Sequence, residues 1–330
     1  MISEGTLFLT RRDIAGLMDF NDYVVAVEEV FRLYAEGKAS LPSVVDIDAI
    51  DGAFHIKSAS AELQKKYVAV KVNGNFPQNR NRYGLPTIQG AILLYDAETG
   101  SPLAIMDSIE ITIQRTGAAT ILAAKYLARP DSKVAAICGC GNQGRISLIG
   151  LKQILPLERA YVYDIDKSTA NAFAEDMTRE LRIPVTSTAN HTEATRQSDV
   201  VVTCTPSRRA FLGKDDVNPG AFIAAVGTDS HDKQELDPHL IAPNKIVADI
   251  IEQCVRIGEL HHAVAEGLLT KADVYAELGE IISGKKQGRT SPDEVIIFDS
   301  TGTALQDVAA ASAVYEKAKR KSIGTYFKLA

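Results

Sequence analysis

Gly139, Gly141 and Gly144 stand in G-x-G-x-x-G spacing, and that spacing can do chemistry. A short apolar run, Val134 to Cys138, leads into them, and a helical pattern leads away. A second apolar run, Ala160 to Tyr163, then ends at Asp164. This is the order that a dinucleotide-binding βαβ unit needs. The first glycine allows a tight turn, the second lets backbone approach a pyrophosphate, and the third lets the helix pack on the strand. The helix N-terminus then offers partial positive charge to the phosphates. Asp164 is placed to accept hydrogen bonds from ribose hydroxyls. Asp166 lies close by, no arginine follows Asp164 directly, and the nearest cation is Lys167. A 2′-phosphate is disfavoured there, so the pattern points to NAD over NADP.

Open α/β sheets bind ligands outside the carboxyl ends of their strands. Three further strand-like runs end in polar groups: Cys204-Thr205-Pro206-Ser207, Gly227-Thr228-Asp229 and Ser300-Thr301-Gly302. With the glycine turn, they would rim one crevice. Asp229 is the only carboxylate in its cluster and falls where a substrate would meet nicotinamide. Partial burial would fit it to move a proton; the alternative is a carboxylate that only caps a loop or helix. Lys71 interrupts an apolar strand pattern (Val68, Ala69, Val70, Val72), so it either reaches solvent or is held near an anion. Lys57, after Phe54-His55-Ile56, poses the same question. Arg115 sits among Thr116, Gly117, Ala118 and Ala119, where small neighbours admit a ligand. Its guanidinium can hold a carboxylate bidentately or form a structural salt bridge.

The elements that must position these groups follow from periodicity. Asp22 to Gly37 has helical period, with Gly37 as its stop. Strand-like runs cover Ser43 to Ile47, Ala53 to Ile56, Tyr67 to Val72 and Gly90 to Tyr95. Between the last two, Asn73 to Leu85 reads as a long polar loop. Ala97 to Gly100 reads as a turn, Pro102 opens a strand, and Ile111 to Leu127 is helical. Alternating strands and helices begin at Lys133, with later strands at Asp199 to Thr203, Phe222 to Val226, Lys245 to Ala248 and Val295 to Asp299. A last helix, Thr303 to about Lys319, would pack back on the N-terminal part and make the first domain discontinuous.

Bulk properties narrow the partners. A chain of 330 residues can bury two cores, and 45% hydrophobic with 24% charged residues is ordinary for globular proteins. A net charge of −6 argues against nucleic acid, which wants clustered cations. The basic run Lys317, Lys319, Arg320, Lys321 reads as a solvated helix end. Four cysteines make no disulfide framework, and Cys138 and Cys140 read as small core residues. The scattered histidines, with His261 and His262 adjacent, form no metal site. No apolar run approaches the ~20 residues of a membrane span. Glu4 and Asp13 give the N-terminus an acidic rather than signal-like character, so a cytoplasmic location is expected.

Several motifs together resemble the ornithine cyclodeaminase/μ-crystallin family over nearly the whole chain. They are K-V-N (Lys71 to Asn73), G-L-P-T (Gly84 to Thr87), R-T-G-A-A (Arg115 to Ala119), G-C-G-x-Q (Gly139 to Gln143), T-P-S (Thr205 to Ser207), G-x-D-x-x-x-K-Q-E-L-D (Gly227 to Asp237) and F-D-S-T-G (Phe298 to Gly302). R-T-G-A-A and K-Q-E-L-D are similar to the archaeal-type alanine dehydrogenase branch. The resemblance implies an α/β chain: a Rossmann domain at 119–303, and a discontinuous α+β substrate and dimerisation domain from 1–118 and 304–330. It implies a homodimer, with Lys71 and Arg115 on the substrate carboxylate, Lys57 and Thr301 beside the substrate, and Asp229 as acid/base. Lys71 is the rival for that proton. Contacts to NAD would come from Thr87, Arg115, Gly139, Gly141, Asn142, Gln143, Gly144, Asp164, Thr205, Val226, Gly227, Thr228, Asp229, Lys233 and Ser300.

One departure bears on the substrate. Ornithine cyclodeaminase has glutamate where this chain has Lys57, to meet a distal ammonium, whereas the alanine dehydrogenase branch has arginine. Like charges at ~4 Å cost about 1 to 4 kcal/mol depending on dielectric. The expected activity is therefore NAD-dependent oxidoreduction at the α-carbon of a small L-amino acid, or reduction of its imine or cyclic ketimine. The alternatives are the cyclodeaminase lyase and a μ-crystallin-like protein that binds NAD(P)H and a ligand without turnover.

Overall fold

A computed structural model describes residues 5–329; Glu4 lies outside them. The chain forms two compact units, Met1–Arg115 with Thr303–Ala330, and Thr116–Gly302.

The first unit is built on a seven-stranded sheet. Its strands are β1 (Thr6–Leu9), β2 (Ser43–Ala49), β3 (Gly52–Glu62), β4 (Lys66–Asn75), β5 (Ile88–Asp96), β6 (Pro102–Asp107) and β17 (Thr325–Phe327), in the order β17-β1-β6-β5-β4-β3-β2. All neighbours are antiparallel except β1 and β6. Its helices are α1 (Arg11–Ala15), α2 (Phe20–Ala35), α3 (Asn79–Tyr83) and α12 (Ala304–Lys321); α4 (Ser108–Leu127) starts here and crosses the unit boundary. Helix α2 begins with a reciprocal Asp19–Asp22 capping box and buries Tyr23, Val27, Val30 and Phe31, an i, i+4, i+7, i+8 stripe. It ends where Gly37 takes a φ of 77°.

Strand alternation decides which groups face inward. Lys57, Ala59 and Ala61 on β3 are buried, as are Tyr67, Ala69, Lys71 and Asn73 on β4. Lys57 pairs with Lys71, Ala59 with Ala69, and Ala61 with Tyr67, so both lysines share one face. Helix α12 packs against β3, β4, β5 and α2. The other face leaves Val45, Ile47 and Phe54 exposed, with Phe54 edge-on to Phe76.

The second unit holds an eight-stranded, all-parallel sheet of order β15-β14-β16-β12-β10-β7-β8-β9. Its strands are β7 (Val134–Cys138), β8 (Arg159–Tyr163), β9 (Val185–Ser187), β10 (Val200–Thr203), β12 (Phe222–Ala225), β14 (Lys245–Ala248), β15 (Ala276–Glu277) and β16 (Ile296–Asp299). Strands β11 (Arg208–Leu212) and β13 (Gln234–Leu236) pair separately. The helices are α5 (Asn142–Ile154), α6 (Lys167–Leu181), α7 (His191–Thr195), α8 (Pro238–Ile241), α9 (Ile251–Ile257), α10 (Glu259–Ala265) and α11 (Leu278–Ile282). β7, β10, β12 and β16 are buried at every residue, which parallel strands covered on both faces require. The strand order reverses between β7 and β10, the switch point at which such sheets bind ligands.

The compact units divide at Arg115, within three residues of the expected 118, and Gly117 packs on Ile146 of α5: a Cβ there would lie 2.7 Å from that side chain. The second division falls at Thr303, which caps α12. Some sequence expectations need correction. Asn73 to Leu85 is not all loop. β4 runs to Asn75 because β3 and β5 pair with it on both sides, and α3 follows until Gly84 adopts a φ of 68°. β1 and β17 were not foreseen; each is too short to show a period.

Candidate active site

The glycine turn closes the β7–α5 unit as its spacing requires. Gly139 has φ +109°, and a Cβ there would sit 2.8 Å from the Cys204 carbonyl oxygen. A Cβ on Gly144 would lie 2.2 Å from the Gly139 carbonyl oxygen. Gly141 is different, since a Cβ there would meet nothing within 4 Å. It N-caps α5 with no side-chain cap, so no side chain of the cap residue takes up the first N–H groups of the helix. Asn142, exposed, and Gln143, half-buried, open the helix.

Asp164, at the end of β8, accepts from Cys140 N at 2.9 Å and Asp166 N at 3.0 Å. These bonds fix its carboxylate beside the turn. A cavity of about 470 Å³ is lined by Gly139, Gly141, Asp164, Thr205, Ile165 and Phe211, among others. Uncapped helix N–H groups, a glycine open to approach, a fixed carboxylate and apolar walls fit a dinucleotide. Cys138 is fully buried beneath the turn, and burial pushes the Cys140 thiol up to about 12. Neither is a nucleophile at neutral pH.

Buried acids build the neighbouring strand ends. Glu235 on β13 accepts from Thr205 N (2.6 Å), Thr205 Oγ1 (2.7 Å) and Gly227 N (3.0 Å). One carboxylate therefore ties the loop after β10 to the loop after β12. Glu259 accepts from the Thr228 hydroxyl (2.5 Å), Glu235 N (2.8 Å) and Leu236 N (3.0 Å). Burial, helped for Glu235 by the charge of Glu259, raises both carboxyls to about 7. Val226 N donates to Thr203 O at 2.9 Å. Asp229 is part-exposed and pairs with Lys233 Nζ at 2.6 Å. Burial opposes the charge of Lys233, but Asp229, together with Glu235 and Asp232, raises its pKa.

Ser300 and Thr301 are buried and donate to Asp249 at 3.3 and 3.2 Å; Gly302 N does so at 2.9 Å. Gln253 also donates to Thr301 Oγ1 at 2.8 Å. Asp299 accepts from Glu259 N and Leu260 N at the start of α10.

The first unit gathers the cations. Lys71 Nζ lies 2.6 Å from Asp307 Oδ2, and Arg115 Nε lies 3.1 Å from Asp307 Oδ1. Arg115 Nη1 also donates to Gln306 Oε1 at 2.6 Å. Lys71, Arg115 and Asp307 are all at most 4% exposed, and Lys57, the cross-strand neighbour of Lys71, is 6% exposed. Lys71 is thus neither an outward surface lysine nor an unpartnered one. Burial, then Arg115, depress it to about 7, with Asp307 pulling the other way. Burial alone would raise Asp307, but Lys71 and Arg115 hold it below the usual carboxylate range. The salt bridge posed as the rival reading of Arg115 is present. Its two used donors leave N–H groups of the five-donor fork for another anion. Thr87 stands on the loop before β5, where its carbonyl accepts from Phe76 N at 2.8 Å.

Sequence reasoning missed Asp307, Gln306, Glu235 and Glu259. Asp307 had a signal: it is an acid in the first half of a helix otherwise rich in alanine, leucine and valine, and that half is buried on every side. Glu235 lay inside K-Q-E-L-D without a role, and Glu259 carried no local pattern.

Comparisons with known proteins identify the family. Residues 4–322 match the ornithine cyclodeaminase/mu-crystallin family pattern. Alanine dehydrogenase of Archaeoglobus fulgidus is 39% identical over 326 residues, covering 98% of both chains. The solved archaeal alanine dehydrogenase dimer with bound NAD superposes with a TM-score of 0.94 at 39% identity, over 98% of this chain and 99% of that one. The Thermococcus litoralis Δ1-pyrroline-2-carboxylate reductase, solved with NADH and L-proline, gives 0.92 at 34% identity, over 98% and 100%. With the glycine turn, the buried Lys71–Arg115 pair and the F-D-S-T-G strand end in one chain, this protein belongs to the ornithine cyclodeaminase/mu-crystallin family.

Proposed function

We propose that the protein is an NAD-dependent oxidoreductase acting at the α-carbon of a small L-amino acid, or reducing the corresponding imine or cyclic ketimine. The observation that carries this reading is the buried Lys71–Arg115 pair closed on one carboxylate, Asp307. Two cations that already hold an internal carboxylate, with donors to spare, suit a substrate carboxylate. Lys57, on the same sheet face, suits a substrate without a distal cation. The relatives act on, or were solved with, molecules of this size and charge.

The Gly139–Gly144 turn, Asn142 and Gln143 would hold the pyrophosphate, and Asp164 the adenosine ribose. A fixed anion at Asp164 favours NAD over NADP. When bound, NAD supplies the two-electron exchange at the substrate α-carbon. Thr87, Arg115, Thr205, Val226, Gly227, Thr228, Asp229, Lys233 and Ser300 complete its contacts. Lys71 and Arg115 orient the carboxylate, Thr301 lies beside the substrate, and Lys71 or Asp229 moves the proton at its α-nitrogen. Water then releases ammonia and a 2-oxo acid in the oxidative direction. The exposed Val45–Ile47–Phe54 face suits burial against a second copy, so we assign a homodimer.

Absorbance at 340 nm tests this. NAD is mixed with L-amino acids including alanine and ornithine, and NADH with pyruvate plus ammonia or with pyrroline- and piperideine-2-carboxylate. A net change in NADH is expected. Proline and ammonia from ornithine without net NADH would establish the lyase instead, and binding without turnover would establish a carrier.

A further inference from the structure

We infer that Asp307 is a positioning residue: it aims Lys71 and Arg115 at the substrate carboxylate and keeps the proton on Lys71. The inference rests on the reading above, in which those two cations hold that carboxylate.

The geometry separates this role from ordinary packing. Asp307 is 1% exposed, and apart from Gln306 the helix positions around it are alanine, leucine and valine. A lone carboxylate in such a place costs several kcal/mol unless it is paired. It meets two cations from two different elements, Lys71 from β4 and Arg115 from α4, one on each oxygen. Gln306, the preceding residue, takes a second donor of the same guanidinium. The Arg115 plane is therefore fixed by two neighbours on one helix turn. A fork held this way loses little rotamer freedom when a second carboxylate arrives.

The charge balance gives Asp307 its second role. The charged groups around Lys71 are Arg115 from α4, Lys57 from β3 and Asp307 from α12. Two of them repel the ammonium proton and only Asp307 retains it. Deep burial acts in the same sense as the two cations. Without the Asp307 charge, Lys71 would be neutral throughout the physiological range. It could then neither attract a carboxylate nor give up a proton.

The test reads carboxylate binding, which needs no turnover. Pyruvate is titrated into NADH-loaded protein, with NADH fluorescence as the signal, across neutral and mildly alkaline pH. For the wild type, affinity should fall as pH rises through about 7, where Lys71 loses its proton. Asp307→Asn keeps the shape and removes the charge, so its midpoint should move ~1–3 pH units lower, the usual effect of one nearby opposite charge. Above neutrality its affinity should be weak and flat. Asp307→Glu restores the charge with a longer arm, and should keep the wild-type midpoint while weakening pyruvate about tenfold or more through displaced cations.

A folded, NADH-binding Asn variant with the wild-type midpoint overturns the inference and leaves the proposed function standing. If the Asn variant does not fold, the Glu variant decides: a shifted midpoint, or unchanged affinity, overturns it. Wild-type protein that binds NADH but no pyruvate or pyrroline-2-carboxylate overturns the carboxylate reading itself, and this inference with it.

Discussion

Replacing Glu235 by glutamine tests whether one buried acid holds the two strand-end loops together. In the wild type, Oε1 accepts two bonds from Thr205 and Oε2 accepts one from Gly227. Glutamine keeps a single acceptor oxygen. With that oxygen toward Thr205, its NH₂ faces the Gly227 N–H, donor against donor, where a 3.0 Å bond had been. Flipping the amide is worse, because two donors then conflict. A buried donor left without a partner costs about 1–3 kcal/mol. In a unit of this size each kcal/mol lowers Tm by about 2–4 °C, so a drop of ~2–12 °C is expected near pH 8.

The pH dependence has a definite sign. The folded carboxyls of Glu235 and Glu259 are raised to about 7 from an ordinary 4.5. Their contribution to stability is therefore full below about 4.5 and is lost as pH rises to about 7. The glutamine variant lacks one of these titrations, so the gap from wild type should widen below neutrality. Calorimetry at several pH values reads this, and NADH fluorescence titration reads the consequence for the Thr205 and Gly227 loops, expected to be about tenfold weaker binding. A Tm within a degree of wild type at pH 8, with unchanged NADH affinity, would refute the tie.

Three further outcomes are expected. Gly144→Ala places a Cβ 2.2 Å from the Gly139 carbonyl oxygen, so the turn must shift; overpacking of about 1–3 kcal/mol and at least tenfold weaker NADH binding should appear by calorimetry and fluorescence. Asp229→Asn should cut turnover far more than NADH affinity, because the substitution is isosteric and the loop keeps its Glu235 and Glu259 anchors; unchanged turnover would refute its assigned role. In the reductive direction Lys71 must carry its proton to hold the substrate carboxylate, so kcat/KM for imine reduction should fall as pH rises through about 7. Lys71→Arg, which does not titrate there, should lack that limb in a pH–rate profile.

The second unit was the more legible in sequence. Its strands are buried on both faces and read as unbroken apolar runs, and its turn glycines have fixed steric jobs: Gly139 with its positive φ, Gly144 against a carbonyl. The first unit hid more. Lys71 and Lys57 were visible as anomalies in strand patterns, but their partner was not, because Asp307 lies far along the chain and its pairing is tertiary. Periodicity reports which side of an element is apolar, and it says nothing about which distant acid neutralises a buried base. Glu235 and Glu259 were hidden for another reason. They are satisfied chiefly by backbone N–H groups and threonine hydroxyls, which leave no residue-type signature. The extension of β4 through polar residues was likewise set by its two neighbours, not by its own composition.

The separation of Arg115 and Asp307 by 192 positions has a consequence for synthesis. A ribosome releases Lys57, Lys71 and Arg115 long before the acid that offsets them, and the whole of Thr116–Gly302 emerges in between. The nascent sheet of β2 to β6 must wait without the helix that covers its inner face, displaying lysines that a finished core would not tolerate alone. Translation order thus makes α12 arrive long after β3, β4 and β5, the strands it packs against. Truncation within α12 should therefore cost more soluble protein than a loss of the same length from a surface loop, because it strands the charges of an already synthesised sheet.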